Sequence, residues 1–247
     1  MIRDVRTVLW KEWKEIFAQG GSRRGTIVNW LFVVAIFGVL LPIGQGKSWF
    51  SGGIAVTLWP TIFTATSILA DSIAGERERH TLDTLLASRL SNMAILAGKV
   101  LAALTFTWAV IAISVLAGWL TVNLTHRGEG IMWPTWTAFA IIVAVVLATI
   151  FLAGVGVLVS MRSPTVRQAN QLMTIGLVVI GGAIAGLLFV ASRLPDRITG
   201  PIIDTISDLN QPTLLALILI IALILIALPF VIAVRRFTRP RLTLVTG

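Results

Sequence analysis

The run Gly130–Met161, GIMWPTWTAFAIIVAVVLATIFLAGVGVLVSM, contains 32 residues without an Asp, Glu, Lys, Arg or His. An α-helix rises 1.5 Å per residue, so about 20 apolar residues are enough to cross a hydrocarbon core of roughly 30 Å. The run therefore predicts a membrane-spanning helix. We begin this helix near Pro134, because proline suits the first turn of a helix, and place it at about 135–160.

Five further runs without charge or histidine, each at least 22 residues long, predict five more spans. The composition agrees, with 56% hydrophobic residues, 13% charged residues and a mean hydropathy of +0.91. Soluble domains contain roughly 25% charged residues, so a water-soluble globular protein is excluded. We predict an all-α membrane protein whose six-span transmembrane domain covers 26–236, with transmembrane helices at about 26–45, 52–74, 100–123, 135–160, 169–192 and 212–234.

The distribution of basic residues predicts the orientation of the chain. It has 20 Lys and Arg against 11 Asp and Glu, and 16 of the basic residues lie on the side that carries both termini. Because cytoplasmic loops are enriched in Lys and Arg, we place both termini, including a tail at 237–247, in the cytoplasm. We expect a multi-pass protein of a prokaryotic cytoplasmic (inner) membrane. Its basic excess then reflects orientation in the lipid bilayer, and no nucleic acid partner is expected.

The N-terminal segment 1–25 predicts an amphipathic helix lying in the cytoplasmic interface. Gly20-Gly21 is expected to end this helix. An alternative is a frayed basic tail with accidental periodicity. The helix is indicated by apolar residues at helical spacing, with most charges elsewhere: Val5, Val8, Leu9, Trp13, Ile16 and Phe17.

The loop 75–99 between spans two and three has the most specific pattern in the chain. It opens with Glu76-Arg77-Glu78-Arg79-His80, and four such charges in hydrocarbon would cost roughly 10 kcal/mol, so the loop is placed outside the bilayer. We predict a short cytoplasmic helix on which Glu76 pairs with Arg79, and Arg79 with Asp83. Its apolar face would consist of leucines at helical spacing: Leu82, Leu85, Leu86 and Leu90.

This short helix could rest on lipid or bind a protein. Acidic residues alternate with basic ones at its start. A helix that binds anionic lipid would be uniformly basic, so the alternation favours a protein partner.

The run Asp71–Ser91, DSIAGERERHTLDTLLASRLS, followed by Gly98-Lys99, resembles the signature of the type-2 ATP-binding-cassette (ABC) permeases. In that family Glu-Arg-Glu precedes Gly/Thr-Leu-Glu-x-Leu-Leu, Pro-x-Ser, and a Gly-Lys at the third span. Here His80 stands where the family often has Gly, Asp83 where it often has Glu, and Arg89-Leu90-Ser91 where it has Pro-x-Ser. The interfacial helix, the six spans and a basic second cytoplasmic turn extend the resemblance over nearly the whole chain.

The resemblance implies the permease subunit of an ATP-driven exporter that pairs with a second copy or a paralogue. Each copy would dock a separate cytoplasmic ABC ATPase through a coupling helix between spans two and three. The chain itself would bind no cofactor and be no enzyme, since ATP-Mg is expected in the ATPase. Short extracellular helices are expected within 194–211. The ATPase-docking residues that the resemblance implies are Glu76, Arg77, Glu78, Arg79, Leu82, Leu85 and Leu86.

Other classes of function fit the residues less well. Gly46-Lys47-Ser48 looks like the end of a phosphate-binding loop, but position 41 is Leu where that motif needs glycine. His80 and His126 lie on opposite sides of the predicted membrane, so they share no metal or catalytic site. The chain has no cysteine, which excludes thiolate chemistry.

Two alternatives to an ATPase-coupled permease remain open. A self-contained secondary transporter or channel usually needs ionisable groups near mid-membrane, and the spans supply none. Asp71 lies at the cytoplasmic end of span two, where we expect it to orient the coupling loop. A non-transporting membrane subunit that relays ATP hydrolysis to an extracytoplasmic partner would have the same sequence features.

Span two carries hydroxyl groups on one side. Thr57, Thr61 and Thr64 follow an i, i+4, i+7 spacing around Pro60. They could line a translocation pathway, or their hydroxyls could bond preceding carbonyls of the same helix near the proline.

Span five contains a motif for close helix approach. Gly182 and Gly186 form Gly-x-x-x-Gly, which lets two helices pack closely in lipid. The resemblance places spans one and five at a dimer seam, so these glycines are candidates for that seam. Three polar residues at the start of the span fit either interhelical bonding or substrate contact: Asn170, Gln171 and Thr174.

Overall fold

The computed structural model describes residues 1–18, 23–126, 130–191, 193 and 211–236, and all regular structure within these residues is helical. Five of the described helical segments are long and apolar enough to cross a membrane. This confirms an all-α membrane protein. A further helix lies where span six is predicted, so helices occupy all six predicted positions. Gly20-Gly21, the expected extracellular helices of 194–210 and the tail 237–247 lie outside the described residues.

The helices are named here in chain order. The first span is composite, because the α-helix from Arg23 passes into a π-helical turn, Ile36–Leu40, and ends in a 3₁₀ turn, Gly46–Phe50. The α-helices are α1 (Ile2–Ala18), α2 (Arg23–Ala35), α3 (Leu41–Gln45), α4 (Ile54–Glu78), α5 (Leu82–Ala87), α6 (Asn92–Thr125), α7 (Trp136–Arg162), α8 (Val166–Ala191) and α9 (Gln211–Arg236).

Hydroxyl side chains begin two of the spans. The hydroxyl of Ser91 accepts the backbone N–H of Ala94 at 3.2 Å, and that of Thr135 accepts the N–H of Ala138 at 3.4 Å. Serine and threonine are favoured at this position, because they satisfy a backbone donor that has no partner in the first helical turn. The start of α7 agrees with the predicted span at about 135–160.

Helices α4 and α6 are longer than the predicted spans two and three, 52–74 and 100–123, whose limits in the membrane stay predictions. Helix α4 continues to Glu78, and α6 already begins at Asn92. The prediction ended span two before Glu76, because charges are costly in lipid. In the folded chain Glu76 and Arg77 are buried and bound to other groups of the protein, so the helix continues through them.

Helix α4 is central, packing against α6, α7 and α8, while α9 packs on α7. Helices α4 and α7 approach closely at Gly156, where a Cβ atom would lie 2.7 Å from the Cβ of Leu69. Only glycine fits at such a distance, which explains the small residue there. Leu69 belongs to an apolar core built mainly by α4, α6 and α7, which also includes Ile73, Ile95 and Val157.

The N-terminal segment forms helix α1, which agrees with the predicted helix rather than with a frayed tail, while its place in the membrane interface stays a prediction. Its apolar side packs on α6, with Val8 and Ile16 only 2% and 5% exposed. The indole N–H of Trp13 donates to the hydroxyl of Thr105 at 3.0 Å. Helix α1 is therefore attached to span three through its predicted apolar face.

Candidate functional site

The charges at the C-terminal end of α4 meet charges from two other helices. Glu76 lies in the last turns of α4, 3% exposed, and faces α1 and α6. We call this group the charge cluster, and it consists of Lys11, Glu12 and Glu15 of α1, Glu76 of α4 and Lys99 of α6.

Both lysines of the charge cluster contact the Glu76 carboxylate. The distance from Lys11 Nζ to Glu76 Oε1 is 2.5 Å, and that from Lys99 Nζ to the same oxygen is 3.3 Å. Lys99 also lies 2.7 Å from Glu12 Oε1, and Lys11 lies 3.1 Å from Glu15 Oε1. Lys11 thus links α1 to α4, and Lys99 links α6 to both of these helices.

Because these charged groups are buried, the fold needs the pairs between them. Lys99 is 4% exposed and Glu76 is 3% exposed, and a buried charge is tolerated only when it is paired and hydrogen-bonded. Burial lowers the pKa of Lys11, but its hydrogen bond to Glu76 and the nearby carboxylate charges outweigh burial and raise that pKa. Lys11 is therefore protonated at neutral pH, and its charge is balanced by Glu76 and Glu15.

The three carboxylates are close enough to hold a cation. Oxygens of Glu12, Glu15 and Glu76 all lie within 4.8 Å of one another. The ammonium groups of Lys11 and Lys99 already contact these oxygens, so they supply the positive charge that a metal ion would supply. We assign no metal site here.

The charge cluster is linked directly to α5. The hydroxyl of Thr81, the residue before α5, donates to Glu76 Oε2, and its backbone N–H donates to the Glu76 carbonyl at 2.9 Å. His80 lies between them with φ +56°, a left-handed conformation that lets the chain reverse after α4. Glycine adopts this conformation without strain, which explains its frequent use there in the family that the sequence resembles.

Arg77 joins α4 to the turn between α7 and α8. Its guanidinium donates to the carbonyl of Ser163 at 2.5 Å and to that of Met161 at 3.1 Å. These carbonyls lie at the C-terminal end of α7, where the last carbonyls of a helix have no partner within it. A cation is also favourable at that end of the helix dipole.

The next two charges also bind within the chain. Glu78 accepts the backbone N–H of Val166 at 3.1 Å, at the N-terminus of α8, where a carboxylate is favourable. Arg79 pairs with Asp71 at 3.0 Å rather than with Glu76, so that predicted pair is wrong. The contact joins Asp71 to the residue that follows α4, and the role of Asp71 in orienting the coupling loop stays a prediction. The side chain of Asp83, the other expected partner, lies outside the described residues.

The predicted ATPase-docking residues separate into an inner and an outer group. Glu76 and Arg77 belong to α4 and are buried, so their placement at the end of an exposed coupling helix is corrected. Leu82 is 6% exposed and lies in the subunit core, and Leu85 packs against that core. The leucine face therefore covers the chain's own apolar surface. The Leu86 side chain lies outside the described residues, whereas Glu78 and Arg79 are exposed.

Among the side chains of α5 that the structure describes, the exposed ones are not leucines. Thr84 and Ala87 are its exposed residues among the described side chains, and His80 and Thr81 extend the surface. The helix has only six residues and is held at its start by Glu76. The exposed residues among its described side chains are thus small, and the helix is held in place at its start.

The three threonines of span two do not form an exposed face. Thr57, Thr61 and Thr64 are 1%, 1% and 8% exposed. Thr61 and Thr64 donate to the carbonyls of Leu58 and Pro60, which is the alternative of bonding to preceding carbonyls. Thr57 accepts the indole N–H of a buried tryptophan at 2.9 Å. Pathway lining would require α4 to separate from its neighbours.

The glycines of span five face away from the subunit. A Cβ atom at Gly182 or Gly186 would have no other atom within 4 Å, and both residues are exposed. The dimer seam stays a prediction. Toward the N-terminal end of α8 the same helix borders an open groove of about 900 Å³, whose polar lining consists of Glu78, Arg167, Asn170, Gln171 and Thr174.

Reasoning from the sequence missed several residues that hold the site together. Lys11 and Glu12 were not singled out, and Lys99 was named only as part of the Gly-Lys motif, although a single lysine at the start of an apolar span signals a buried partner. Ser160 gave no signal. Its hydroxyl lies between α4 and α7, accepting the N–H groups of Ile73 and Ala74 at 3.1 and 2.9 Å.

Comparison with known proteins adds one finding to this geometry. A family model described as ABC-2 type transporter matches residues 3–184, which is 182 of the 247 residues. No curated protein and no solved structure matches the chain significantly. The matched range includes α1, α4, α5, α6 and α7, and therefore the whole charge cluster.

Proposed function

We propose an exporter function for this chain, which belongs to the ABC-2 type transporter family as a membrane permease component. Two copies, or this chain and a paralogue, would form the translocating unit in an inner membrane, with both termini in the cytoplasm. Each copy would dock one ABC ATPase, which binds ATP-Mg. The apolar spans favour a lipophilic or amphipathic cargo.

The observation that carries this proposal is the charge cluster directly behind α5. A displacement of α5 reaches Glu76 through Thr81, and Glu76 is bound to α1 by Lys11 and to α6 by Lys99. Broken buried ion pairs are costly, so these helices move together more readily than they separate. The arrangement suits a helix that transmits force from an ATPase to the spans.

The surface offered to the ATPase is the outward side of α5 with its flanking charges. Thr84 and Ala87 form its centre, while Glu78, Arg79 and Arg89 are exposed at its edges. Charges of both signs around a small centre favour a specific protein partner, because their arrangement selects orientation as well as affinity.

The exposure of spans one and five supports pairing of two permeases. In the most apolar stretches of spans one and five, 11% and 6% of the residues are buried, whereas 50% are buried in those of α4 and of α6. The exposed side of α8 carries Gly182 and Gly186, which allow another helix to approach closely. A second copy seated there would cover both glycines.

The test of docking is co-expression of this chain with its ABC ATPase, followed by pull-down and measurement of ATP hydrolysis in lipid. Thr84→Arg places a long charged side chain at the centre of the proposed surface, and we expect at least a tenfold weaker association with reduced hydrolysis. Leu85→Asp is less suitable, because Leu85 packs on the chain's own core and its loss affects folding.

The matched control is Thr7→Arg, which makes the same change at an exposed threonine of α1. It is expected to leave association and hydrolysis unchanged. If Thr84→Arg binds and stimulates the ATPase as the parent does, docking on α5 is wrong, and a self-contained transporter becomes the better explanation.

A further inference from the structure

The outer side of α1 and the start of the first span enclose an open groove that the proposed function does not use. Its deep wall is aromatic, since Trp13 and Phe17 pack edge-on against Phe106 of α6. The residues at its rim are exposed. The groove measures about 290 Å³ and is lined by Trp10, Trp13, Lys14, Phe17 and Ile27.

The position of the groove along the chain places it at the membrane surface. Ile27 is the first residue of the first candidate span, and it is 45% exposed. Trp10 on the facing side of α1 is 63% exposed. Tryptophan is enriched where headgroups meet acyl chains, and lysine reaches toward the headgroups from the same level. The groove therefore opens to the bilayer at the headgroup boundary.

The charge at the groove is positive. Among the described side chains of α1, the exposed charged residues are Arg3, Arg6 and Lys14, all of them basic. The acidic Glu15 is half-buried and pairs with Lys11 at 3.1 Å. The ammonium of Lys14 lies 5.2 Å from the centre of the Trp10 ring, at the rim of the apolar lining. Apolar walls with one cation at the rim complement a lipid that carries acyl chains and a phosphate headgroup.

We propose that this groove binds an anionic phospholipid of the cytoplasmic leaflet. Its phosphate contacts Lys14, and an acyl chain packs on Trp10, Phe17 and Ile27. This proposal uses the proposed topology only to place α1 on the cytoplasmic side of the membrane. It does not depend on ATPase docking. A lipid bound here braces α1 from outside, on the helix that contributes Lys11 and Glu12 to the charge cluster.

The test uses the purified full chain in detergent, titrated with phosphatidylglycerol or phosphatidylcholine whose acyl chains are brominated, because bromine quenches tryptophan fluorescence. We expect phosphatidylglycerol to quench at a lower concentration, and Trp10→Phe to reduce the quenching. Lys14→Gln should weaken phosphatidylglycerol binding about fivefold, the factor that one lysine contributes near an anionic surface. Lys14→Arg should retain the binding.

The matched control is Arg3→Gln, which removes one exposed positive charge from α1 outside the groove. It should change the affinity less than twofold. An equal loss in Arg3→Gln and Lys14→Gln would show diffuse charge attraction and overturn the site. Equal affinity for the two lipids, or equal quenching in the parent and Trp10→Phe, would overturn it as well.

Discussion

His80 shows how one residue shapes the turn between α4 and α5. It adopts φ +56° between the end of α4 and Thr81, and it is exposed. A residue with a Cβ atom loses roughly 1–2 kcal/mol in the left-handed region, and β-branched residues lose more. The reversal is nevertheless maintained, because Thr81 is bonded to both the carboxylate and the carbonyl of Glu76.

We expect His80→Gly to raise the free energy of unfolding by about 0.5–1 kcal/mol. Glycine removes the strain but loses more backbone entropy on folding, so the net gain is smaller than the strain itself. The matched variant His80→Val should lower the free energy of unfolding by about 1 kcal/mol or more. Unfolding in a detergent series measures both. A His80→Gly variant less stable than the parent would contradict this account and would mean that the imidazole itself stabilises the turn.

The direction of the leucines was not predictable from single residues. Periodicity indicated that α5 has one apolar face, but it does not say what covers that face. Leu82 lies in the core with Ile73 and Ile95, because the nearest apolar surface belongs to the same chain. The sequence therefore predicted the helix and its leucine side, whereas the tertiary structure assigned the outward side to Thr84 and Ala87.

At the scale of elements, the charge cluster joins α1, α4 and α6 at one level. The positions of these helices were predictable, because the bilayer requires long uncharged runs and the interfacial helix has a clear period. The ends of α4 and α6 were not. They depend on Glu76 and Lys99 being sheltered by each other and by Lys11 and Glu12, which are more than 60 residues away in sequence from Glu76.

We expect Lys99→Met to lower the free energy of unfolding by about 3–5 kcal/mol. Its removal leaves Glu12 without its closest partner and Glu76 with only one lysine, and an uncompensated buried charge is costly. Unfolding in sodium dodecyl sulfate measures the change. In the double variant Glu12→Gln/Lys99→Met the loss should be smaller than the sum of the single losses, because the two residues interact directly.

Lys47→Met is the matched control for this change, since Lys47 is exposed. It should alter the free energy of unfolding by less than about 0.5 kcal/mol. A loss in Lys99→Met no larger than that in Lys47→Met would mean that the charge cluster does not hold the three helices together.

At the scale of the whole molecule, the helices differ in how much of their surface is covered by other helices. Helix α4 is enclosed by α6, α7 and α8, while the first span and α8 bury few of their residues. Lipid covers such surfaces in any membrane protein, so exposure alone does not define a seam. The proposal of a dimer therefore rests on the small residues of α8 as well as on this exposure. The proposed docking surface on α5 lies next to the end of α4. The proposed docking surface and the proposed dimer seam therefore lie on one connected set of helices.

Docking of an ATPase on α5 is tested most directly by cross-linking, since the chain has no cysteine of its own. A single cysteine at Thr84 is compared with one at Ser51, an exposed residue at the opposite end of α4. Membranes containing the co-expressed ATPase are treated with a short cysteine-to-lysine cross-linker. We predict a permease–ATPase product for Thr84→Cys and none for Ser51→Cys. A product from Ser51→Cys alone, or from neither variant while the complex is intact, would contradict docking on α5.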